Sequence, residues 1–392
     1  MQYTSYGIRG PRVSRLGFGV MRLPPRRKGL WGSVNFTRAV PILRRALEAG
    51  VTFFDSHHDY HGGLSEVAIG RALKGWKGPR PVIQTKTPAY REEPLDWFKR
   101  RLDEALEKCG VDALDFLLFH SMTHDTFRKR GRLFFRLTDW ALKRGMIRAR
   151  GFSSHDTPER VRGFIDTGEF SAMLLSYNWL NPQMADVIAY GAEQGMGVSI
   201  MNPVGGGSLA QDTPQVRALL PGAHSPAEAA LRYVLATPGV CVALSGMNSV
   251  AQVEENARIA SARTPLTSAQ FRTMRRRVAR IQRQAARFCT QCGYCMPCPA
   301  GVAIPSCFEV YNKMYLSGNI PEALALYAMR NSGILRKGVP SYASQCVECG
   351  QCLAKCPQDL PIPALLKQVA AEMEVPGLEE RVARARKMLN ME

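Results

Sequence analysis

The spacing of the cysteines constrains the fold of this chain more than any other feature of the sequence. Nine of the eleven cysteines lie between positions 289 and 356, and eight of these nine form two short runs. The first run is Cys289, Cys292, Cys295 and Cys298, with two residues between neighbouring cysteines. The second run is Cys346, Cys349, Cys352 and Cys356, with the same spacing except for three residues before Cys356. The first ten residues lack the charged and apolar parts of a signal peptide. Clustered cysteines without such a peptide favour metal ligation over disulfide bonds.

The second cysteine run, which ends before Pro357, has the spacing that binds [4Fe–4S] clusters in bacterial ferredoxins. Three cysteines of such a run wrap one cluster, and the fourth completes the other cluster. The first run is one residue shorter before its last cysteine, and the two runs together resemble a two-cluster ferredoxin. This resemblance implies two ligand sets: Cys289, Cys292 and Cys295 with Cys356, and Cys346, Cys349 and Cys352 with Cys298.

Structural zinc is the alternative metal that these cysteines could bind. Zinc sites use four ligands, commonly as two pairs with two residues between the cysteines of a pair. A third cysteine at the same interval in each run has no role in such a site, so the repeated triple favours clusters. Cys109, Cys241 and Cys307 lie outside the runs and are expected to be small core residues.

Short apolar segments alternate with segments of helical periodicity over the first 260 residues. Eight segments are nearly continuous in apolarity, as parallel strands buried on both faces are. They are Val13–Met21, Val51–Ser56, Pro81–Lys86, Ala113–His120, Arg148–Ser154, Ser171–Asn178, Gly197–Asn202 and Val240–Gly246. Eight strands alternating with helices over this length predict an α/β fold, a closed (β/α)₈ TIM barrel. An open doubly wound sheet is the alternative, which is disfavoured because no G-x-G-x-x-G turn follows the first strand.

The chain is long enough for two domains, and the sequence pattern changes after the barrel segments. Residues 1–265 are predicted to form the barrel, and residues 266–392 a mostly helical, ferredoxin-like iron–sulfur domain. Helices are expected from about Ser268 to Arg287, from about Cys307 to Asn331, and in the tail from Pro363. No apolar run reaches about eighteen residues, so no membrane span is predicted, and a cytoplasmic location is expected.

The chain carries a formal net charge of +19, and seven arginines lie between Arg272 and Arg287. A field of this kind attracts acidic partners or nucleic acid and raises the rate of encounter. An acidic redox partner protein is one candidate, and nucleic acid is a weaker one whose affinity would fall as salt rises. A solvated helix face is the alternative interpretation.

Polar residues at the ends of the predicted strands indicate a site at one face of the barrel. Catalytic residues of such barrels lie at the carboxyl ends of the strands, where this chain has Asp55 followed by Tyr60, then Lys86 and His120. A phenol has a pKa of about 10, and a neighbouring ammonium lowers it. Asp55 would hold Lys86 charged, Tyr60 would protonate a carbonyl oxygen as hydride reaches the carbon, and His120 would orient that oxygen.

Several segments around these four residues resemble motifs of the aldo-keto reductase family. They are Phe54-Asp55-Ser-His-His-Asp-Tyr60, Ser65-Glu66, Gly70-Arg71-Ala72-Leu73, Thr85-Lys86, Phe119-His120, and Ser245-Gly246-Met247-Asn248 with Gln252 and Glu255-Asn256. The resemblance covers residues 13 to 260 and is closest to the subgroup fused to a C-terminal ferredoxin-type domain. It implies a TIM barrel that reduces a carbonyl, or oxidises an alcohol, with NADP(H) or NAD(H).

The same resemblance implies which residues bind the nucleotide. On the adenosine side it points to Gly246, Asn248, Gln252, Glu255 and Asn256. On the nicotinamide side it points to positions where this chain departs from the family. Ser153-Ser154 stands for the usual Ser-Asn, Ser176 stands for the usual Gln, and Met201-Asn202-Pro203 replaces the usual stacking aromatic residue.

Three histidines, His57, His58 and His61, surround Tyr60 in the sequence. A group of histidines can indicate a metal site. Since neither an accompanying acid nor helical spacing supports such a site here, we interpret them as loop residues.

Two functions therefore compete. The first is an iron–sulfur oxidoreductase of aldo-keto reductase type whose clusters transfer electrons. Hydride carries two electrons and a [4Fe–4S] centre passes one, so direct coupling needs a carrier such as a flavin, for which the sequence has no signal. The second is a non-catalytic electron-transfer or redox-sensing subunit on a barrel that has lost nicotinamide binding.

Overall fold

The computed structural model of the chain describes all residues except 27–32, 180, 211–216, 218, 221, 263–265, 285–288, 290–292, 318–319, 335–337, 357 and 389–392. Cys292 and Pro357 are therefore outside the described residues. The chain divides into two compact units, Met1–Val204 with Ala230–Phe271, and Gly205–Ala229 with Arg272–Glu392. The domain limits 1–265 and 266–392 remain a prediction.

Eight parallel strands form a closed barrel, which confirms the predicted (β/α)₈ architecture. A short antiparallel pair, β1 (Tyr3–Ser5) and β2 (Arg12–Ser14), precedes it. The barrel strands are β3 (Leu16–Gly19), β4 (Phe53–Asp55), β5 (Val82–Thr87), β6 (Leu114–Met122), β7 (Ile147–Ser154), β8 (Ala172–Ser176), β9 (Gly197–Met201) and β10 (Val242–Ser245). Every residue of β4, β5, β8 and β10 is buried, because helices cover the outer face and side chains fill the interior.

Helices alternate with these strands along the chain. They are α1 (Phe36–Glu48), α2 (Leu64–Leu73), α3 (Leu95–Cys109), α4 (His124–Lys143), α5 (Pro158–Asp166), α6 (Ala185–Glu193), α7 (Pro226–Ala236) and α8 (Val250–Ser261). Local sequence sets their ends. The side chain of Asn35 accepts a hydrogen bond from the backbone of α1, and Thr123 forms a capping box with Thr126 at the start of α4.

Further helices follow towards the carboxyl end of the chain. They are α9 (Ser268–Gln284), α10 (Ile304–Ser317), α11 (Ile320–Asn331), α12 (Ile362–Met373) and α13 (Leu378–Met388). The single stretch expected from Cys307 to Asn331 is two helices, and Pro321 lies in the first turn of the second, where a proline is tolerated. None of the helices among the described residues is long and apolar enough to cross a membrane.

Candidate active site

A buried ion pair joins the carboxyl ends of β4 and β5. The Nζ atom of Lys86 lies 2.6 Å from Oδ2 of Asp55, and their side chains are 1% and 7% exposed. Nζ also donates to the backbone carbonyl of Ser56 at 2.5 Å. Burial of two opposite charges is tolerated when each is paired and hydrogen-bonded, as it is here. Asp55 and Lys86 are thus held in one fixed arrangement inside the barrel.

Gln84 extends this arrangement into the barrel interior, and sequence analysis missed it. Its Nε2 donates to Oδ1 of Asp55 at 2.8 Å, and its Oε1 accepts from the hydroxyl of Tyr6 at 3.2 Å. Gln84 stands two residues before Lys86 in β5, so both side chains point to the same face of the strand. This two-residue spacing could have identified Gln84 from the sequence as a neighbour of Lys86 on the same face. Both oxygens of Asp55 are therefore occupied, one by Lys86 and one by Gln84.

The serine and glutamate that begin α2 attach this helix to the strands. The hydroxyl of Ser65 lies 2.9 Å from that of Ser56, and Oε1 of Glu66 accepts from the hydroxyl of Thr85 at 2.7 Å. Burial raises the pKa of Glu66. Since Ser56 and Thr85 adjoin Asp55 and Lys86, these bonds help to fix the ion pair.

Tyr60 begins a short 3₁₀ turn after β4 and presents its ring to the ion pair. Nζ of Lys86 lies 5.1 Å from the centroid of the Tyr60 ring. Burial raises the pKa of Tyr60, and the charge of Asp55 raises it further. This direction is opposite to the lowering that sequence analysis expected from Lys86, because that expectation left out both burial and the negative charge of Asp55. The protein groups therefore favour a protonated phenol.

Two imidazoles stack beside Tyr60. The rings of His57 and His120 are 3.9 Å apart between centroids and inclined by 37°, and the ring of His57 is 5.1 Å from that of Tyr60. Burial lowers the pKa of His120 well below its usual value, and the charge of Lys86 lowers it further. Burial and the neighbouring His120 lower the pKa of His57 in the same way. Both rings are neutral at ordinary pH, and His57 belongs to the site, not merely to the loop.

The serines expected on the nicotinamide side lie at the ends of β7 and β8. Ser153 accepts a hydrogen bond from the backbone nitrogen of Ser121 at 2.9 Å. Ser154 donates to the carbonyl of Met122 at 2.7 Å. Ser176 is 5% exposed and lies 3.4 Å from the side-chain amide of Asn202. Each hydroxyl thus already has a protein partner.

The residues expected on the adenosine side surround the start of α8. The backbone nitrogen of Asn248 donates to Oε1 of Gln252 at 2.8 Å, and the amide of Asn256 donates to Ser245 at 3.0 Å. Glu255 lies in the first turns of the same helix. Gly246 approaches Arg22 so closely that an added Cβ atom would lie 3.1 Å from its side chain. The residues predicted to bind adenosine thus lie in α8 and in the segment just before it.

Five of the predicted cluster cysteines line one cavity in the second unit. They are Cys295 and Cys298 from the first run and Cys346, Cys349 and Cys352 from the second run. The cysteines that act on the thiol of Cys352 are Cys298, Cys346 and Cys349, and its pKa is raised, chiefly by burial. These four thiols fit a cube-shaped cluster, which needs one ligand per iron, and Cys295 belongs to the other predicted ligand set.

Three further cluster cysteines lie in or against a hydrophobic core that Cys298, Cys346 and Cys352 also contact. Cys295 is buried within it, and Cys289 and Cys356 lie at its edge. Cys292 lies outside the described residues. Whether these four form one site therefore stays a prediction.

Cys307 is a core residue. It is fully buried, and its sulfur accepts a hydrogen bond from the amide of Asn331 at 3.1 Å. Burial raises the pKa of its thiol to about 12. Cys109 is equally buried in the barrel, and Cys241 packs against the barrel core. A thiol held neutral in this way is a poor metal ligand.

Several known proteins are similar to the barrel part of this chain in sequence or in fold. L-galactose dehydrogenase of Arabidopsis thaliana is 27% identical over 281 residues, which cover 65% of this chain and 87% of that protein. Aldo-keto reductase YhdN of Bacillus subtilis is 31% identical over 134 residues, covering 31% of this chain and 38% of that protein. The solved structure of aldo-keto reductase AKR11C1 from Bacillus halodurans, in its holo form, has a TM-score of 0.61 at 24% identity and covers 71% of this chain and 96% of that chain. This structural likeness shows the fold.

Family models match the chain in two successive segments. Residues 288–360 match a 4Fe-4S dicluster domain. Residues 15–278 match the aldo/keto reductase family, and they make up well over half of the 392 residues. The chain therefore belongs to the aldo/keto reductase family and carries a 4Fe-4S dicluster domain after its barrel.

Proposed function

We propose that the barrel reduces a small-molecule carbonyl, or oxidises the corresponding alcohol, with NADP(H) or NAD(H). The observation that carries this proposal is the convergence of Asp55, Lys86, Tyr60 and His120 at one end of the barrel. An anaerobic assay tests it. Oxidation of NADPH or NADH by the full-length protein should depend on an added aldehyde or ketone.

Each of the four residues has a distinct part in the proposed reaction. A bound reduced nicotinamide supplies hydride to the carbonyl carbon. Tyr60 donates its phenolic proton to the carbonyl oxygen, and His120, as a neutral imidazole, donates a hydrogen bond that orients the same oxygen. Lys86 stabilises the negative charge that remains on Tyr60, and Asp55 holds Lys86 in place.

The pH dependence of reduction follows from the two pKa shifts. The pKa of His120 is lowered below 6.5, so its ring loses a proton before neutrality, and the pKa of Tyr60 is raised above 10, so its phenol stays protonated. We therefore expect kcat/KM for carbonyl reduction to be level from about pH 6.5 to about pH 10. Steady-state rates across this range check it. An alkaline loss centred near pH 8 would contradict a raised phenol pKa.

Arg22 and the helix start at α8 support the nucleotide proposal. Positive charge and the dipole at a helix start both favour phosphate groups. We propose that Gly246, Asn248, Gln252, Glu255 and Asn256 bind the adenosine end. We propose that Ser153, Ser154 and Ser176 face the nicotinamide end.

We further propose that the eight cysteines hold two [4Fe–4S] clusters, with Cys298 joining Cys346, Cys349 and Cys352. The shared cavity and the action of Cys298, Cys346 and Cys349 on the thiol of Cys352 support this ligand set. The surface beside it suits electron exchange with a partner protein. Cys349 is exposed, and the neighbouring Val347 and Leu353 are 69% and 45% exposed. The positive charge of the chain favours an acidic partner.

We propose that the clusters exchange single electrons with that partner and do not exchange electrons with the nicotinamide nucleotide. We expect dithionite-reduced protein to stay reduced in excess NADP⁺ without oxygen, because each cluster passes one electron and hydride carries two. Ferricyanide, which takes one electron, should restore the absorption of the oxidised clusters. The control sample receives free flavin as a mediator. Rapid reoxidation by NADP⁺ alone would contradict this proposal.

The second candidate is a non-catalytic electron-transfer or redox-sensing protein. The protein hydrogen bonds already made by Ser153 and Ser154 favour it, since these hydroxyls anchor the last residues of β6. Fluorescence titration with NADPH separates the two candidates. Absence of binding would favour the second.

A further inference from the structure

His57 occupies an unusual place for a polar side chain. It is only 2% exposed, two residues after the ion-paired Asp55. Its ring centroid lies 3.9 Å from that of His120, with the two rings inclined by 37°, and 5.1 Å from that of Tyr60. The side chain therefore fills the space between two residues that are proposed to act on the carbonyl oxygen.

Hydrogen bonding fixes the tautomer of His57. Its Nδ1 accepts from the backbone nitrogen of Asp59 at 3.1 Å, so Nδ1 carries a lone pair and the proton of the neutral ring is on Nε2. Nε2 is buried and has no acceptor among the described residues. A second proton on Nδ1 would break the bond to Asp59 and add a charge near Lys86. The ring is thus locked in a neutral form and in one orientation.

The stack has a consequence for His120. Its Nδ1 is also buried and lacks a partner in the described part of the chain, so no protein hydrogen bond at that atom fixes the ring. We propose that His57 is a positioning residue for His120, whose imidazole it holds in one orientation and shields from water. This inference rests on the proposed role of His120 in binding the carbonyl oxygen.

Several other groups face His120, and any test must separate His57 from them. They are Lys86 from β5, Tyr90 and Arg91 from the loop after β5, Tyr60 from the loop after β4, and His155 from the loop after β7. All of them remain when His57 alone is replaced. A change in the pKa of His120 in such a variant is then caused by the loss of the His57 side chain.

The test is a titration of the His120 ring by NMR in full-length protein labelled on histidine carbons. In His57→Ala, water enters beside His120, and we expect its pKa to rise by at least about one unit towards the ordinary value. His57→Phe keeps a flat apolar face and should leave His120 without a charge change near neutrality. His58→Ala is the matched control, since that ring is 6.5 Å from His57 and only partly buried.

Kinetics provide the second readout. Loss of the stack should lower kcat/KM for carbonyl reduction about ten- to a hundred-fold and move its acidic limb upward with the pKa of His120. If His57→Ala does not fold, His57→Asn serves in its place because it also lacks the flat ring. An unchanged His120 titration in the folded variant overturns the inference. A shifted titration in a protein that reduces no carbonyl leaves the inference standing and overturns the proposed function.

Discussion

Replacement of Tyr60 by phenylalanine is expected to lower kcat for carbonyl reduction about 10²- to 10⁴-fold, the usual contribution of general acid catalysis. The change removes only the hydroxyl group. The ring can still pack against His57 and face the ammonium of Lys86, 5.1 Å from its centroid. Nucleotide affinity should therefore be unchanged, and the loss should fall on kcat. Steady-state kinetics with separate variation of NADPH and aldehyde check both statements.

Tyr90→Phe is the matched control for this variant. Tyr90 also lies at the mouth of the barrel, with its ring 6.0 Å from His120, and it is 37% exposed. Removal of its hydroxyl should change kcat by no more than a few-fold, because surface substitutions of this kind have small effects. Reduction that survives Tyr60→Phe at a rate near that of Tyr90→Phe would exclude Tyr60 as the acid.

The strands and the four converging residues were predictable because each depends on local sequence. A parallel strand buried on both faces is a continuous apolar run, and its carboxyl end places the next polar residue at the barrel mouth. Asp55 and Lys86 could be located in this way. The short pair β1 and β2 could not be predicted in this way, since each strand is polar and partly exposed and neither is a continuous apolar run.

The electrostatics of the site depend on contacts between distant parts of the chain. His57 and His120 are 63 positions apart, and nothing in either segment indicates that their rings stack. The pKa of Tyr60 depends on burial by surrounding elements and on Asp55, whose charge opposes that of Lys86. Sequence analysis therefore predicted the four residues that converge at this end of the barrel, but it missed Gln84 and His57 beside them and gave the wrong direction for the pKa shift of the phenol.

Replacement of both Cys346 and Cys349 by alanine is expected to halve the iron content, from about eight to about four atoms per chain. These two cysteines line the cavity together with Cys295, Cys298 and Cys352, and they are half of the four proposed ligands of one cluster. Removal of two ligands leaves two irons of that cluster without a protein partner. Iron analysis and electron paramagnetic resonance of the reduced protein, both without oxygen, measure the loss. Cys307→Ala is the control, since this buried core thiol is not a proposed ligand and its removal should leave the iron content unchanged.

The ligand sets make the sharper prediction. If Cys298 completes the cluster of the second run, Cys298→Ala should impair the same cluster as the double variant, and the remaining resonance signal should be the same in both. Cys356→Ala should impair the other cluster and leave a different signal. If each run instead held its own cluster, Cys356→Ala would resemble the double variant and Cys298→Ala would not. Cys298 acts with Cys346 and Cys349 on the thiol of Cys352, which favours the crossed arrangement, in which each cluster joins two segments separated by the helices α10 and α11. Loss of either cluster should therefore loosen more than a single loop, because described cysteines of both runs lie in or against the same hydrophobic core. They are Cys289, Cys295, Cys298, Cys346, Cys352 and Cys356.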